Sequence, residues 1–176
     1  MTFDSILRGG TVVFPEGPER RADIAVRDGR IVGLLAPGET AEAGTVIDVA
    51  GKHVFPGCID AHQHFGFAEP ITEYRTETAS AAIGGLTTIL SYFLSSGPYG
   101  ELFEPALAQC AARAHVDFAF HFTTCVDAHI DELPSCVAEH GVTSFKYFMN
   151  FKGEEGRYMG LAGTDDGFLY DLMAKA

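Results

Sequence analysis

The segment Val54–His64, VFPGCIDAHQH, decides how the rest of this chain is interpreted. An apolar run that ends in polar residues is typical of a short buried strand with functional groups at its carboxyl end. Side chains at positions i and i+2 of a strand point to the same side, so His62 and His64 can converge on one ion. Neutral imidazole binds zinc and similar divalent metals well. An isolated pair of this spacing is usually just solvated or hydrogen-bonded, but the preceding Pro-Gly, the apolar strand and Asp60 favour a metal site.

The composition limits the kinds of protein that this chain can be. With 176 residues, 47% of them hydrophobic, it can form one domain, or a small domain plus part of a larger one. A net charge of −12 argues against nucleic acid or an anionic membrane as a partner. No apolar run approaches the ~20 residues of a membrane-spanning helix, and the start of the chain lacks the features of a signal peptide. The four cysteines have no close paired spacing and are interpreted as reduced, mostly buried thiols of a cytoplasmic protein.

Two regions of the sequence differ in their predicted pattern of strands, helices and turns. Residues 1–53 consist of short β-type runs separated by turn residues, and Asp28-Gly29 predicts a two-residue hairpin. The strands predicted there are Ile6–Arg8, Thr11–Phe14, Ala22–Val26, Arg30–Leu35 and Val46–Val49. In residues 54–176 strands alternate with helices, which predicts parallel strand pairing with the helices outside.

The second region contains four predicted strand–helix units. The strands are Val54–Ala61, Leu86–Phe93, Phe118–Thr124 and Val142–Met149; the helices are Thr72–Ile83, Glu101–Ala114, Asp131–His140 and Asp165–Ala176, the last with Thr164 as its N-cap. Such units can begin an open doubly wound sheet or form half of an eight-unit barrel, and both place ligands at the carboxyl ends of strands. Because four units leave two strand edges uncovered, we expect part of the fold to lie outside this sequence.

Several stretches together resemble the amidohydrolase superfamily, in particular its cyclic amidohydrolase branch of hydantoinase, dihydropyrimidinase, allantoinase and dihydroorotase. The stretches are Val54–His64 for the first-strand signature, Gly9–Val13 with Asp28–Ile31 for the opening β-sandwich strands, Thr78–Ile89 for the passage from first helix to second strand, and Gly141–Met149 for the fourth strand. The resemblance implies an α/β fold: the N-terminal half of a TIM-type (β/α)8 metal-dependent hydrolase barrel, residues 54–176, preceded by a small β-sandwich segment, residues 1–53.

The resemblance also implies the metal ligands. The fourth strand of the family carries a carboxylated lysine, and the matching position here is Lys146. A lysine ammonium repels a cation, whereas the neutral amine can capture carbon dioxide and become an anionic carbamate with two oxygens. His62 and His64 would then bind the first of two divalent ions, expected to be Zn²⁺, and Lys146 would bridge to the second. For Lys146 taken alone, a surface position or a buried salt bridge is the alternative.

The implied activity is hydrolysis of a cyclic amide, imide or ureide C–N bond by attack of a hydroxide that bridges two metal ions. In the family, two more histidines come from the fifth and sixth strands and a general-base aspartate from the eighth, all beyond Ala176. The remaining histidines do not replace them and are interpreted as structural or solvated: His53, His115, His121, His129 (in a predicted loop) and His140. We therefore expect the chain alone to be an incomplete and inactive part of a hydantoinase- or dihydropyrimidinase-like enzyme.

Two residues are assigned to the substrate site from the same resemblance. Hydantoinases typically carry a tyrosine five residues after the lysine, and here that position is Phe151. The phenol hydroxyl helps to stabilise a developing oxyanion, so its loss requires compensation. Either Asn150 or Tyr147 compensates, or the enzyme is not a standard hydantoinase. We assign Asn150 and Phe151 to substrate binding.

Two other hypotheses stay open. One is a non-catalytic dihydropyrimidinase-related scaffold protein, although such relatives characteristically lose the metal ligands that this chain keeps. The other is a half-barrel fragment that needs a second chain or a second copy of itself. Because family members commonly form dimers or tetramers, the resemblance implies a homo-oligomer that acts on a small cyclic substrate, with neither nucleic acid nor a membrane as a partner.

Overall fold

The structure is a computed structural model that describes residues 2–66, 70–151, 154–158 and 164–176. The chain separates into two compact units, Met1–Pro56 and Gly57–Ala176. No helix in the described part of the chain has both the length and the apolar character needed to cross a membrane.

Strands are the regular elements of the described residues in the first unit. They are β1 (Phe3–Arg8), β2 (Thr11–Val12), β3 (Arg20–Arg21), β4 (Asp23–Arg27), β5 (Arg30–Leu35), β6 (Ala43–Asp48) and β7 (His53–Val54). One sheet has the strand order β5-β4-β1-β6 and the other the order β3-β2-β7. Val12, Ala22 and Ile24 form a core to which strands of both sheets contribute. The short strands β3 and β7 were not predicted from the sequence.

The predicted hairpin joins β4 to β5. Asp28 has φ +52° and Gly29 has φ +69°, and two positive φ values are what the tight two-residue turn between antiparallel strands requires. Glycine and aspartate are among the residues that adopt this conformation most readily. Arg27 and Arg30 close the antiparallel ladder beside the turn, so the hairpin prediction is confirmed.

The second unit is a parallel α/β structure. Its strands are β8 (Cys58–Gln63), β9 (Leu86–Phe93), β10 (Asp117–Thr123) and β11 (Phe145–Lys146); its helices are α1 (Pro70–Ile83), α2 (Phe103–Ala111), α3 (Asp127–His140), α4 (Glu154–Tyr158) and α5 (Asp166–Lys175). The strands pair in parallel in the order β11-β10-β9-β8. Neighbours in the sheet are thus neighbours in the sequence with helices between them, which is the arrangement of a partial barrel.

Strand β10 shows how the two faces of this sheet differ. Phe120 and Phe122 pack with Tyr74 of α1, Phe103 of α2 and other buried residues in an aromatic core. Because side chains alternate along a strand, the intervening His121 lies on the opposite face. The helices therefore cover the apolar face, and polar side chains occupy the other one.

The first predicted strand of this region, Val54–Ala61, is wrong in its extent. Val54 pairs with Val12 in the first unit, and β8 begins only at Cys58. Pro56 lies between the two segments and has no N–H to give to a continuous ladder. The apolar run is therefore divided between two sheets.

Gly57 is required by close packing rather than by an unusual backbone angle. A Cβ atom at this position would lie 2.0 Å from the hydroxyl oxygen of Thr87, far inside the contact distance of two atoms. The next amide, that of Cys58, donates to the carbonyl of Gly85 at 3.2 Å. The absent side chain lets the start of β8 lie against β9.

The fourth predicted strand, Val142–Met149, is also too long. The structure has only Phe145–Lys146, which pairs with the end of β10. Helix α3 ends at Gly141, with φ +67°, and the amide of Val142 still donates to the carbonyl of Cys136 at 3.1 Å. Val142 therefore belongs to the end of the helix.

Two predicted helix starts need correction. Helix α3 begins at Asp127 instead of Asp131, so His129, placed in a loop by the sequence interpretation, lies in its first turn. The N-cap of α5 is Asp165 instead of Thr164, because the Asp165 carboxylate accepts the amide hydrogen of Phe168 at 2.9 Å.

Candidate active site

The carboxyl end of β8 carries the histidine pair. His62 lies within the strand and His64 is one residue beyond it. Their Nε2 atoms are 2.8 Å apart, and both residues are exposed. The two rings therefore converge, as the i, i+2 spacing predicts.

Asp60 shapes the backbone that presents this pair. Its carboxylate accepts the backbone N–H of His62 at 3.0 Å and the side-chain amide of Gln63. Pairing between β8 and β9 is irregular between Asp60 and Gln63. The carboxylate thus supplies an acceptor where the ladder is disturbed, which satisfies the amide of His62 at the point where the chain leaves the sheet.

Tyr92, near the end of β9, lies between the histidines and Lys146. Its hydroxyl is 3.1 Å from Nδ1 of His62, and its ring stacks on His64 with a centroid separation of 4.8 Å. The Nζ atom of Lys146 lies 4.8 Å from the centre of the same ring and 4.9 Å from that of Phe148. Aromatic faces attract a cation at this distance. Tyr92 therefore contacts all three predicted metal-binding side chains.

His121 links the strands behind these residues. Its Nε2 is 3.1 Å from the carbonyl oxygen of Ala61, and its Nδ1 pairs with the hydroxyl of Ser144. Because a carbonyl only accepts, Nε2 is the donor in the contact with Ala61. The ring thus connects Ala61, which precedes His62, with Ser144, two residues before Lys146. This is a structural role, in agreement with the sequence interpretation.

The electrostatic surroundings favour neutral imidazole. Removal of water by the packed rings lowers the pKa of His64 below its usual 6.5, and the charges of His62 and Lys146 lower it further. Among the described residues, no group of three or more His, Cys, Asp or Glu side chains could hold a metal ion. The donors gathered here are two imidazoles and one amine, which is fewer than the four donors of an ordinary zinc site.

The residues assigned to the substrate follow β11. The ring of Phe151 packs on Phe148, with centroids 5.1 Å apart, and Asn150 is exposed. Tyr147 donates its hydroxyl to the carbonyl of Asp165 at 3.0 Å and stacks on Phe168. Tyr147 is thus directed toward α5, whereas Phe151 reaches the lysine environment through Phe148.

A second polar cluster, at the carboxyl ends of β9 and β10, is buried. His129 stacks on Tyr99 with centroids 4.1 Å apart, and both residues are 1% exposed. Nε2 of His129 donates to the carbonyl of Gly97 at 2.8 Å, and Nδ1 accepts the amide hydrogen of Cys125 at 3.2 Å. Burial lowers the pKa of His129 and raises that of the Cys125 thiol to about 11. Both ring nitrogens are used by the backbone, so this histidine organises loops.

The other histidines and the cysteines agree with their interpretation. Nε2 of His53 lies 3.3 Å from a carboxylate oxygen of Glu19, and Nδ1 of His140 lies 2.9 Å from one of Glu104. His115 is exposed. All four cysteines are free thiols; Cys58 is exposed, and Cys110, Cys125 and Cys136 are buried.

The sequence interpretation missed Tyr92, although the predicted strand Leu86–Phe93 agrees with β9. A signal was available, since parallel neighbouring strands end at the same edge of a sheet. A tyrosine one residue before the end of β9 is therefore placed close to a histidine at the end of β8.

Known proteins resemble this chain over most of its length. No protein-family model matches the chain. The D-hydantoinase of Streptomyces coelicolor is 33% identical over 188 residues, an alignment that includes 100% of this chain and 38% of the relative. The allantoinase of Desulfitobacterium hafniense is 41% identical over 158 residues, with 86% of this chain and 34% of the relative covered. A crystal structure of D-hydantoinase has a TM-score of 0.79 and 30% identity, and covers 98% of this chain and 37% of its own.

The chain spans little more than a third of the length of the curated relatives that it matches. The similarity nevertheless extends over all or most of its residues and includes the segments that carry His62, His64 and Lys146. The chain is therefore similar, over about a third of their length, to hydantoinases and allantoinases, the cyclic amidohydrolase branch of the amidohydrolase superfamily.

Proposed function

We propose that this chain is the amino-terminal part of a metal-dependent hydrolase that opens the C–N bond of a cyclic amide, imide or ureide. The observation that carries the proposal is the convergence of His62, His64 and Lys146 around Tyr92, at the carboxyl edge of a parallel sheet. Active sites of parallel α/β folds lie at this edge. The names of the relatives, D-hydantoinase and allantoinase, support a small cyclic substrate.

The histidine pair fits a zinc ion after a small movement. Two nitrogens bound to one tetrahedral zinc at ~2.05 Å are about 3.3 Å apart, and the Nε2 atoms here are separated by 2.8 Å. Opening the pair by about half an ångström is within the reach of two exposed side chains. His62 and His64 would hold one ion, and carboxylated Lys146 would hold it together with a second ion. When bound, such a pair of ions supplies Lewis acidity and an activated water.

The residues of the chain would contribute binding, orientation and shape. The ammonium of Lys146, held by the faces of Tyr92 and Phe148, would first lose a proton. The neutral amine would then add to carbon dioxide, forming an N–C bond and releasing a second proton, so that the cation becomes a carbamate anion. Since Tyr147 donates to α5, we assign to exposed Asn150 the hydrogen bond that the family's tyrosine would give to the substrate. Phe151 forms an apolar wall next to it.

The fold part of the proposal follows the same resemblance. Residues 54–176 would be the first half of an eight-unit barrel with zinc at its carboxyl face, and residues 1–53 would be part of a β-sandwich. The complete protein would be a cytoplasmic dimer or tetramer. Light scattering on the purified full-length protein tests the oligomeric state directly.

The decisive experiment combines metal analysis with a substrate screen. We expect full-length protein purified with added zinc to hold zinc at near-stoichiometric amounts and to open at least one of hydantoin, dihydrouracil, allantoin and dihydroorotate. Lys146→Ala should abolish the activity, whereas Lys175→Ala, an exposed lysine in α5, should leave it unchanged. A folded protein that binds no zinc and opens none of these rings would instead be a scaffold relative.

A further inference from the structure

We propose that Tyr92 is a positioning residue that fixes the orientation and the proton arrangement of the His62 ring. For its consequence on metal binding, the inference rests on the function proposed above. Tyr92 carries no assigned role in the reaction, yet one side chain contacts His62, His64 and Lys146.

The two nitrogens of His62 face different partners. Nε2 faces Nε2 of His64 at 2.8 Å, and Nδ1 faces the hydroxyl of Tyr92 at 3.1 Å. An imidazole that binds an ion through Nε2 must keep its proton on Nδ1, where it needs an acceptor. The phenol oxygen of Tyr92 is that acceptor. Partners of this kind orient the ligand ring and raise its affinity for a metal.

Tyr92 is itself held in place. Its ring packs against both His64, with centroids 4.8 Å apart, and His121, with centroids 5.0 Å apart. His121 pairs with Tyr92 across β10 and β9 and is fixed by hydrogen bonds through both of its nitrogens. The neighbouring rings and the pairing of β9 with β10 therefore hold the Tyr92 ring, and with it the hydroxyl, in place.

The test removes the hydroxyl and keeps the ring. Tyr92→Phe retains the stacking contacts, and Tyr170→Phe is the matched control, because Tyr170 on α5 is 74% exposed. Zinc affinity of the metal-stripped full-length protein is measured by competition with a chromophoric chelator, with zinc alone as the probe. The tautomer ratio of His62 is measured by ¹⁵N NMR near pH 8, with and without zinc. Near-UV circular dichroism checks that the aromatic packing is retained.

We expect Tyr92→Phe to weaken zinc binding by about 10- to 100-fold, the range for outer-shell partners. It should also change the His62 tautomer ratio, while Tyr170→Phe changes neither. In the zinc-loaded wild type, the Nδ1 proton of His62 should exchange slowly with water. Rapid exchange there overturns the proposal whether or not the variant folds.

The two proposals fail in different ways. If the wild type binds zinc and Tyr92→Phe binds it equally well with the same tautomer ratio, the positioning role is wrong and the metal site stands. If the wild type binds no zinc, the proposed metal site is wrong. The tautomer ratio of the zinc-free protein then decides the role of Tyr92: a change in Tyr92→Phe supports it, and an unchanged ratio rejects it.

Discussion

Among the described residues of the second unit, two histidines stack on tyrosines, and the two pairs differ in almost every other respect. His64 and Tyr92 are 4.8 Å apart at an exposed edge, next to a second imidazole and a lysine. His129 and Tyr99 are 4.1 Å apart and buried, and backbone groups use both nitrogens of the histidine. Stacking alone therefore does not distinguish a functional histidine from a structural one.

What the nitrogens face makes the distinction. In the buried cluster, Glu132 also accepts the amide hydrogens of Tyr99 at 2.8 Å and Gly100 at 3.1 Å, so the side chains complete the hydrogen bonding of a loop. In the exposed cluster, the Nε2 atoms of His62 and His64 face each other. A metal ion between them would give both nitrogens a favourable partner. We expect the first cluster to contribute stability and the second to contribute binding.

The largest effect should come from the exposed cluster. His64→Ala removes one of the two converging nitrogens and should lower the activity and the zinc affinity of the full-length protein by more than ~100-fold, the upper range for an outer-shell partner. Because the residue is exposed, its thermal unfolding should hardly change. Steady-state kinetics and chelator competition measure the loss, and His115→Ala, also an exposed histidine, is the control. Wild-type affinity in His64→Ala would remove this residue from the site.

The buried cluster should show the opposite pattern. His129→Ala leaves the carbonyl of Gly97 and the amide of Cys125 without their partner and opens a cavity against Tyr99. We expect a loss of about 2–4 kcal/mol in the free energy of unfolding, measured by urea denaturation. The zinc content of the folded fraction should stay at the wild-type value. Loss of zinc with unchanged stability would contradict the division of roles.

A pH series should sharpen the same contrast. Burial lowers the pKa of His129 below its usual 6.5, so the unfolded state binds the proton more readily than the folded state. The contribution of neutral His129 to the free energy of unfolding is therefore fully present above pH 6.5 and declines as the pH falls below that value. The pKa of His64 is lowered in the same direction, but this side chain is exposed, so solvent screening keeps its effect on stability small. Urea titrations between pH 8 and pH 5 should show a steeper decline for wild type than for His129→Ala; parallel curves would exclude His129 as a source.

The smallest effect concerns the two sequence-based candidates for replacing the missing tyrosine hydroxyl. Tyr147→Phe removes the bond to the carbonyl of Asp165 and should cost about 0.5–1 kcal/mol of stability while leaving kcat within about twofold. Asn150→Ala should lower kcat and leave stability unchanged. Comparison of kcat for the two variants is the measurement, and a larger loss in Tyr147→Phe would reverse the assignment.

The sequence predicts those parts of the molecule that local patterns determine. Leu86–Phe93 is a β-branched run bounded by glycine and a loop, and β9 has these limits. The convergence of His62 and His64 follows from strand geometry alone. Val54 could not be assigned correctly, because its partner, Val12, is distant in the sequence and competes with the strand that the motif suggests. His129 was misplaced for a related reason: its helix is stabilised by contacts with the loop after β9, which no local pattern shows.

The missing side chain at Gly57 has a consequence for variation in this family of sequences. Even alanine at position 57 would collide with Thr87. The collision would push the start of β8 away from β9 and would displace the histidines at the carboxyl end of β8. A residue that never meets a reactant would then abolish turnover as thoroughly as loss of a ligand, and a smaller residue at position 87 would be the natural second-site suppressor.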